Sequence, residues 1–294
     1  MTALIRSKSI LLTPAILVIA IFLALPLCIM FMFSFLEPGT YGGVIWSFSP
    51  EAYIQFLFER DIFDDSLTLT SDYLMIFWRS ILQAFVATGL CLLIGFPTAY
   101  FIVTRPDRQK TFWLFLITVP YWVNLLVRTV ALLFVLRDDG PVNASIMATG
   151  IIDQPLPLAF SDFAIGLGLI YSYLPFMILP IYASLERFDF SLLEAAYDLY
   201  AGYRRVLFGV VLPAIKPGVI AGSMLVFIPS LGSFLAPDIL GGGKKIMVGN
   251  LIAMQFQGSR NWPFGAAVSM ILMTVALIVL IVLIRRGNKD VMMH

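Results

Sequence analysis

An all-α integral membrane protein with six transmembrane helices is the fold that this sequence predicts, and three observations lead to it. The first is composition. Of 294 residues, 60% are hydrophobic and 13% charged, with a mean hydropathy of +0.93. Soluble domains carry about 25% charged residues, so the chain could not cover itself with polar surface in water. The second is a set of six uncharged or nearly uncharged blocks, approximately 10–36, 80–104, 111–136, 163–185, 217–237 and 261–284. Each matches the roughly 20 residues that cross a bilayer as helix. The third is that these blocks lack the strict alternation of a membrane β-barrel, while helices satisfy their own backbone groups in lipid. On this reading residues 1–294 form a single transmembrane domain.

Taken in order, the first block follows Arg6 and Lys8, as a signal peptide would. It is longer than the roughly 7–15 residues of a signal core and no small-residue cleavage site follows it, so it is expected to be a retained span. The loop over 37–72 is long and acidic and carries Trp46, Tyr53 and Phe56. An acidic outer face concentrates cations near an entrance, and a solvated loop that obeys the orientation rule would have the same composition. The third block is interrupted by Arg128, four residues after Asn124 and so on one helical face with it. An arginine repels a cation, so Arg128 is read as a structural or gating charge paired with an outer-side aspartate, and Arg79, near the outer end of the second block, is read likewise. Past the fifth block, Asp238 is followed by Gly241, Gly242 and Gly243 and then Lys244 and Lys245. These glycines make a turn or a re-entrant loop mouth, without the GxxxxGK[ST] pattern of a nucleotide-binding loop. The sixth block is a plain apolar helix.

Basic residues set the orientation. With the N-terminus inside, Arg105, Arg108, Lys110, Arg187, Arg204, Arg205, Lys216, Arg285, Arg286 and Lys289 join Arg6 and Lys8 on the inner side, while Asp61, Asp64, Asp65, Asp72, Asp138, Asp139, Asp153 and Asp162 fall outside. The last outer loop, with Lys244, Lys245 and Arg260, runs most clearly against that bias. Six spans then place both termini in the cytoplasm. Chemistry is largely excluded. Cys28 and Cys91 lie in apolar blocks without metal-ligand spacing, the sole histidine is His294, and no paired carboxylates, Ser/His/Asp set or metal cluster lies in or beside the spans.

One inner segment stands apart. Residues 191–213 read SLLEAAYDLYAGYRRVLFGVVLP and carry charge on a helical period. Ser191 followed by Glu194 has capping-box spacing, Glu194 and Asp198 share a face, and Gly202 suits the left-handed residue that ends a helix. A second short helix over 203–211 would stop at Pro213, whose ring clashes with a continuing helix. The expected form is a two-helix elbow at the inner membrane surface, within 187–213. On spacing alone Glu194 serves equally as a cap or as part of a protein contact. Ala195 and Ala196 beside a carboxylate permit close approach, and the segment is longer than a plain connector needs.

Glu194-Ala195-Ala196, followed by Leu212-Pro213, resembles the EAA motif of permease subunits in bacterial binding-protein-dependent ABC importers, which have a MetI-like fold. The resemblance implies that the elbow is the coupling helix lying in a cleft of the ATPase subunit, with Glu194, Ala195, Ala196, Asp198, Tyr200, Gly202 and Pro213 in or beside that contact. One departure is plain: the family pattern has glycine where this chain has Tyr200, so either the turn is shifted to Gly202 or Tyr200 fills a groove. Pro120-Tyr121-Trp122-Val123-Asn124 with Arg128, Ile220-Ala221-Gly222, Asp238 with Gly241-Gly242, and Asn261-Trp262-Pro263-Phe264-Gly265-Ala266-Ala267 are similar to the spermidine/putrescine (PotB/PotH-type) branch, over nearly the whole chain.

That branch implies a permease in the bacterial inner membrane, paired with a second, PotC/PotI-like permease, two ATPase subunits that bind ATP and magnesium, and a periplasmic substrate-binding protein. No cofactor, metal or nucleic acid is expected on this chain, only a small cationic solute and lipid. A polyamine wants carboxylates for its ammonium groups and aromatic faces for its methylenes. Asp238 is the carboxylate expected in the pathway, with Tyr121, Trp122, Asn124, Tyr171, Tyr173, Phe234 and Trp262 as further pathway residues. Asp238 equally fits an interfacial salt bridge to Lys244, Lys245 or Arg260, and the aromatics equally fit a packing or interfacial belt. The same scaffold in other branches carries opines, phosphonates, thiosulfate or ferric iron. An ion-driven secondary carrier would need ionisable or broken-helix sites near the midplane, which the blocks hardly supply, and a membrane enzyme would need the chemistry excluded above.

Overall fold

The computed structural model describes residue 14 and residues 17–60 and 67–291. Arg6, Lys8, Asp61, Asp64, Asp65 and His294 lie outside the described residues, as do the start of the first apolar block and the side chains of Arg286 and Lys289. By length and composition three helices can each cross a membrane: Asp72–Val103 (α3), Asp162–Glu186 (α7) and Trp262–Arg285, the apolar part of Trp262–Val291 (α13). Two bent pairs raise this to five, namely Asp107–Trp122 with Leu125–Ala148 at 89° and Tyr203–Ala214 with Lys216–Leu231 at 71°. Leu17–Phe33 (α1) is a shorter apolar helix. Among the described residues each predicted block is largely helical, the first along Leu17–Phe33, and two of them are broken.

Both breaks have local causes. In the third block, Asp107–Thr118 (α4) tightens into a 3-10 turn at Val119–Trp122 that contains Pro120, and Val123 and Asn124 then turn extended, with ψ of 138° at each. Asn124 accepts from the Leu126 amide at 2.8 Å and so starts Leu125–Leu136 (α5) as its cap. In the fifth block, Ile215 leaves helical geometry just before Lys216–Leu231 (α10), whose second residue is Pro217. Proline fits a first turn because it has no amide to donate. The same block ends early: α10 stops at Leu231, and Leu235–Leu240 (α11) follows as a separate short helix. Asn250 spans that interruption, donating to the Phe234 carbonyl at 3.0 Å from Val248–Gln257 (α12).

Two compact units partition the chain. One comprises residues 1–75 and 251–274, the other residues 76–250 and 275–294. In the first, the segment expected as a loop folds locally. Leu36–Pro38 (β1) pairs antiparallel with Val44–Phe48 (β2) in the register Leu36 to Phe48 and Pro38 to Val44, Glu51–Leu57 (α2) follows, and Phe58–Arg60 (β3) pairs with Leu67–Leu69 (β4). Its aromatics organise it: Phe35 packs on Phe48 and Tyr53, Phe56 stacks on Tyr73, and Tyr73 meets Phe264 at 4.9 Å. The helical class holds, with these two strand pairs added.

In the second unit α7 and α10 pack most intimately. A Cβ at Gly218 would lie 2.6 Å from the Pro180 carbonyl oxygen and one at Gly222 would lie 2.9 Å from Met177 Sδ, so only glycine permits the approach. Small residues at such crossings are how membrane helices come close. Around them Cys91, Ala99, Ile102, Ile178, Ile181, Leu185 and Val226 form a buried core, with Cys91 as one more small apolar side chain. Cys28, by contrast, is exposed.

Candidate functional site

The elbow is built from Ser191–Asp198 (α8) and Tyr203–Ala214 (α9). Leu193 and Ala196, three residues apart, pack against the core, which turns Glu194, Ala195 and Asp198 outward, where they are exposed. The helix starts at Ser191 as expected, but the capping box does not form. Phe190 occupies the cap position without a side-chain bond, and the Asp189 carboxylate instead accepts from the Ser191 amide at 3.0 Å. Hydrogen bonds from the Ser191 hydroxyl and amide hold the Asp189 carboxyl below the usual carboxylate range. Glu194 is therefore released from capping and its carboxylate stays on the outer face.

The end of α8 settles the departure at position 200. Tyr200 has φ of +56°, whereas Gly202 is extended (φ −69°, ψ 155°) and starts α9. The Tyr200 amide bonds the Tyr197 carbonyl at 2.9 Å and the Ala201 amide bonds the Ala196 carbonyl at 3.1 Å. These are the two bonds of a Schellman motif, so the turn is not shifted to Gly202. Tyr200 itself takes the left-handed place, with its ring 97% exposed. The second helix also runs on past the expected stop. Leu207–Val211 is a wide π turn, and Pro213 sits inside the helix at Leu212–Ala214. A wide turn before the proline removes the ring's clash with the carbonyl four residues back.

A second cluster forms at the break between α4 and α5. Arg128 lies with its guanidinium carbon 4.5 Å from the centre of the Tyr121 ring and 5.5 Å from that of Tyr171. The Tyr121 hydroxyl donates to the Tyr171 carbonyl, and Phe176 stands edge-on to Tyr121 at 6.2 Å. Arg128 meets no carboxylate among the described residues: its Nε and Nη1 are buried without a hydrogen-bond partner. The expected aspartate pair is thus replaced by two aromatic faces, because the break turns the arginine toward α7 rather than along one continuous helix. Asn124 is the cap of α5 and not a face-mate of Arg128. Tyr173 donates to the Pro229 carbonyl at 3.3 Å and ties α7 to α10. Trp122 projects 75% exposed.

The aspartate pair appears instead at Arg79. Its guanidinium bonds Asp162 at the start of α7, with Nε 2.9 Å from Oδ1, and Lys245 Nζ lies 3.3 Å from Oδ2. Gln83 donates to the Asp162 carbonyl at 2.9 Å. Asp238 is exposed in the first turn of α11 and forms no ion pair with described residues, Lys245 being engaged by Asp162. Phe234 stands next to it on the approach to α11, half exposed. Sequence reasoning missed Asp162, Gln83 and Lys245 as a cluster. The only signal was that Asp162 and Lys245 fall in expected outer loops and that Gln83 is a polar residue near the outer end of the second block.

In the other unit, Trp262 opens α13 and stacks on Phe33 at 6.4 Å. A cavity of about 610 Å³ there is lined by Glu51, Gln55, Phe58, Asp72, Tyr73 and Asn261. Carboxylates beside aromatic faces suit an ammonium group.

Residues 91–288 match the family described as binding-protein-dependent transport system inner membrane component. The chain is 42% identical over 217 residues to the spermidine/putrescine transport system permease protein PotB of Haemophilus influenzae, covering 74% of this chain and 76% of that one. It is 39% identical over 222 residues to PotB of Escherichia coli K12, covering 74% and 81%. Among solved structures it superposes, with a TM-score of 0.67 and 15% identity, on a bacterial ABC transporter involved in the import of the acidic polysaccharide alginate, over 97% of this chain and 96% of that one. The last likeness speaks to fold.

Proposed function

Since the chain belongs to the family of inner membrane components of binding-protein-dependent transport systems, we propose that it is the membrane-spanning permease half of an ATP-driven importer of polyamines such as spermidine and putrescine. The solute reading is supported by the names of the relatives with which it shares 39–42% of residues. The mechanical reading is supported by the elbow, where Leu193 and Ala196 anchor α8 and present Glu194, Ala195 and Asp198 to solvent. An ATPase cleft closing on that face would pull α8, and α9 would pass the movement to α10 through Ile215.

In this reading the chain acts as one transmembrane domain with six spans and both termini in the cytoplasm. It pairs with a second, PotC/PotI-like permease and two ATPase subunits, and receives solute from a periplasmic binding protein. ATP and magnesium are bound by the ATPase subunits, and this chain performs no chemistry. Asp238 and the acid-lined cavity in the outer segment attract the cation, and Tyr173, Phe234 and Trp262 offer aromatic faces, those of Tyr121 and Tyr171 being engaged by Arg128.

The test is uptake of labelled putrescine and spermidine, in competition, by the assembled importer in proteoliposomes. Glu194→Lys is expected to leave the subunit in the membrane and abolish ATP-dependent uptake. Undiminished uptake by a stably assembled Glu194→Lys complex would overturn the coupling role. Transport of neither amine by the wild-type complex would overturn the solute.

A further inference from the structure

Arg128 is the one described cation within the apolar blocks with buried nitrogens that nothing in the chain satisfies: Nε and Nη1 have no partner, in a half-buried side chain whose close company is Tyr121, ring and hydroxyl, and the ring face of Tyr171. Cation–π contact offsets part of the loss of water, but a ring offers no acceptor for the in-plane N–H groups. The surroundings add to the positive field rather than relieve it. Arg128 stands one turn into α5, near the positive end of that helix dipole, and the cap of that end is a neutral Asn124. A cation so placed calls for a carboxylate, the acceptor whose two oxygens fit a guanidinium fork.

Two of its surroundings cannot supply that carboxylate. Lipid tails cannot, and the flanking surface is apolar, with Trp122, Val123, Leu126 and Val127 all exposed. A polyamine cannot either, since it carries only positive charge. What remains is a protein group arriving across that apolar surface. We infer that the break between α4 and α5 is an interface with the second membrane-spanning permease chain, and that an acidic side chain of that chain inserts between Trp122 and Val127 to pair with Arg128. This rests on the reading above that a second permease chain exists. Arg128 then works as an assembly latch whose charge is satisfied only in the pair.

The latch makes an uncommon prediction of sign. Replacing a buried, unpaired arginine with an apolar residue of similar volume stabilises a protein, whereas removing one member of a buried pair strands the other and destabilises it. Arg128→Met should therefore raise the melting temperature of the isolated subunit in detergent, by about 2–4 °C, and lower that of the complete importer. Recovery of the second permease chain on a tag carried by this one should fall about tenfold for Arg128→Met and Arg128→Gln, equivalent to 1.4 kcal/mol, and fall distinctly less for Arg128→Lys, which keeps the charge but not the planar fork. A rise in melting temperature in both preparations, or equal recovery with Gln and Lys, overturns the inference. The Gln and Lys comparison decides alone if the Met variant does not insert. Failure of the wild-type chain to recover any second permease overturns the reading of the function instead.

Discussion

Arg79 and Asp162, 83 residues apart, meet side chain to side chain, with the arginine Nε 2.9 Å from Oδ1. The carboxylate's other oxygen lies 3.3 Å from Lys245 Nζ, so one acid binds cations from two further elements. The pair joins the upper part of α3 to the first turn of α7, where a negative charge also suits the helix dipole. Asp162→Asn is expected to destabilise the subunit by only about 1 kcal/mol, since the two side chains are 24% and 47% exposed and solvent screens them. Thermal unfolding in detergent should show that difference shrink at high salt. A salt-independent loss would mean that packing, and not charge, joins the helices.

Tyr200 holds a left-handed backbone conformation with a fully exposed ring. A non-glycine residue there costs roughly 1–2 kcal/mol, and the ring recovers nothing from packing within the chain. Tyr200→Gly should therefore slow hydrogen exchange of the Tyr200 and Ala201 amides, whereas Tyr200→Ala, which keeps the strain, should not. If Tyr200→Gly also lowers uptake, the ring is what the ATPase cleft reads.

The close crossing of α7 and α10 depends on Gly218. An added methyl would sit 2.6 Å from the Pro180 carbonyl oxygen and 2.7 Å from Ser184 Cβ, and a helix backbone cannot yield locally. Gly218→Ala is expected to destabilise by about 1–3 kcal/mol. Gly89→Ala, where nothing lies within 4 Å, should instead stabilise α3 by about 0.5–1 kcal/mol. Parallel melting curves for the two variants check the pair, and equal effects would refute the crossing geometry.

Asn143, fully buried in Pro141–Ala148 (α6), secures the turn that follows it. Its Nδ2 donates to the carbonyls of Arg137 and Leu156 at 3.1 and 3.0 Å, and its Oδ1 accepts from the Leu156 amide at 2.9 Å. Asn143→Ala leaves the Leu156 amide without a partner, while the Arg137 and Leu156 carbonyls still accept from the Gly140 and Leu158 amides, and should cost about 1–3 kcal/mol. Limited proteolysis at 149–158 should speed up in step. Asn143→Asp sets a buried carboxylate oxygen against the Arg137 and Leu156 carbonyls and should cost more than the alanine variant.

Apolar blocks were legible because a bilayer demands long uncharged stretches, and the charged face of α8 was legible because Glu194 and Asp198 are four residues apart. The breaks were not. Pro120 and Pro217 lie inside apolar stretches, where hydropathy reads the same for a straight helix as for an 89° bend. Position 202 looked suited to the left-handed residue because it is glycine, yet the hydrogen bonds from Tyr200 and Ala201 fix where α8 ends, and backbone register outranks side-chain preference. Arg128 was visible as a charge, but its neighbours depend on a bend, and Asp162 and Arg79 are partners only through the packing of helices distant in sequence.

The wide turn at Leu207–Val211 carries one more residue than an α-helical turn would need. Deleting a single residue there, at Gly209 for instance, where a Cβ would meet nothing, lets the helix close into regular geometry. Because the wide turn itself takes up the extra residue, Tyr203 and α8 would keep their face relative to α10, whereas a residue removed from a regular turn of α9 would swing them by about 100°. The wide turn thus makes this one place where related chains could gain or lose a residue without changing the angle at which the elbow presents Glu194.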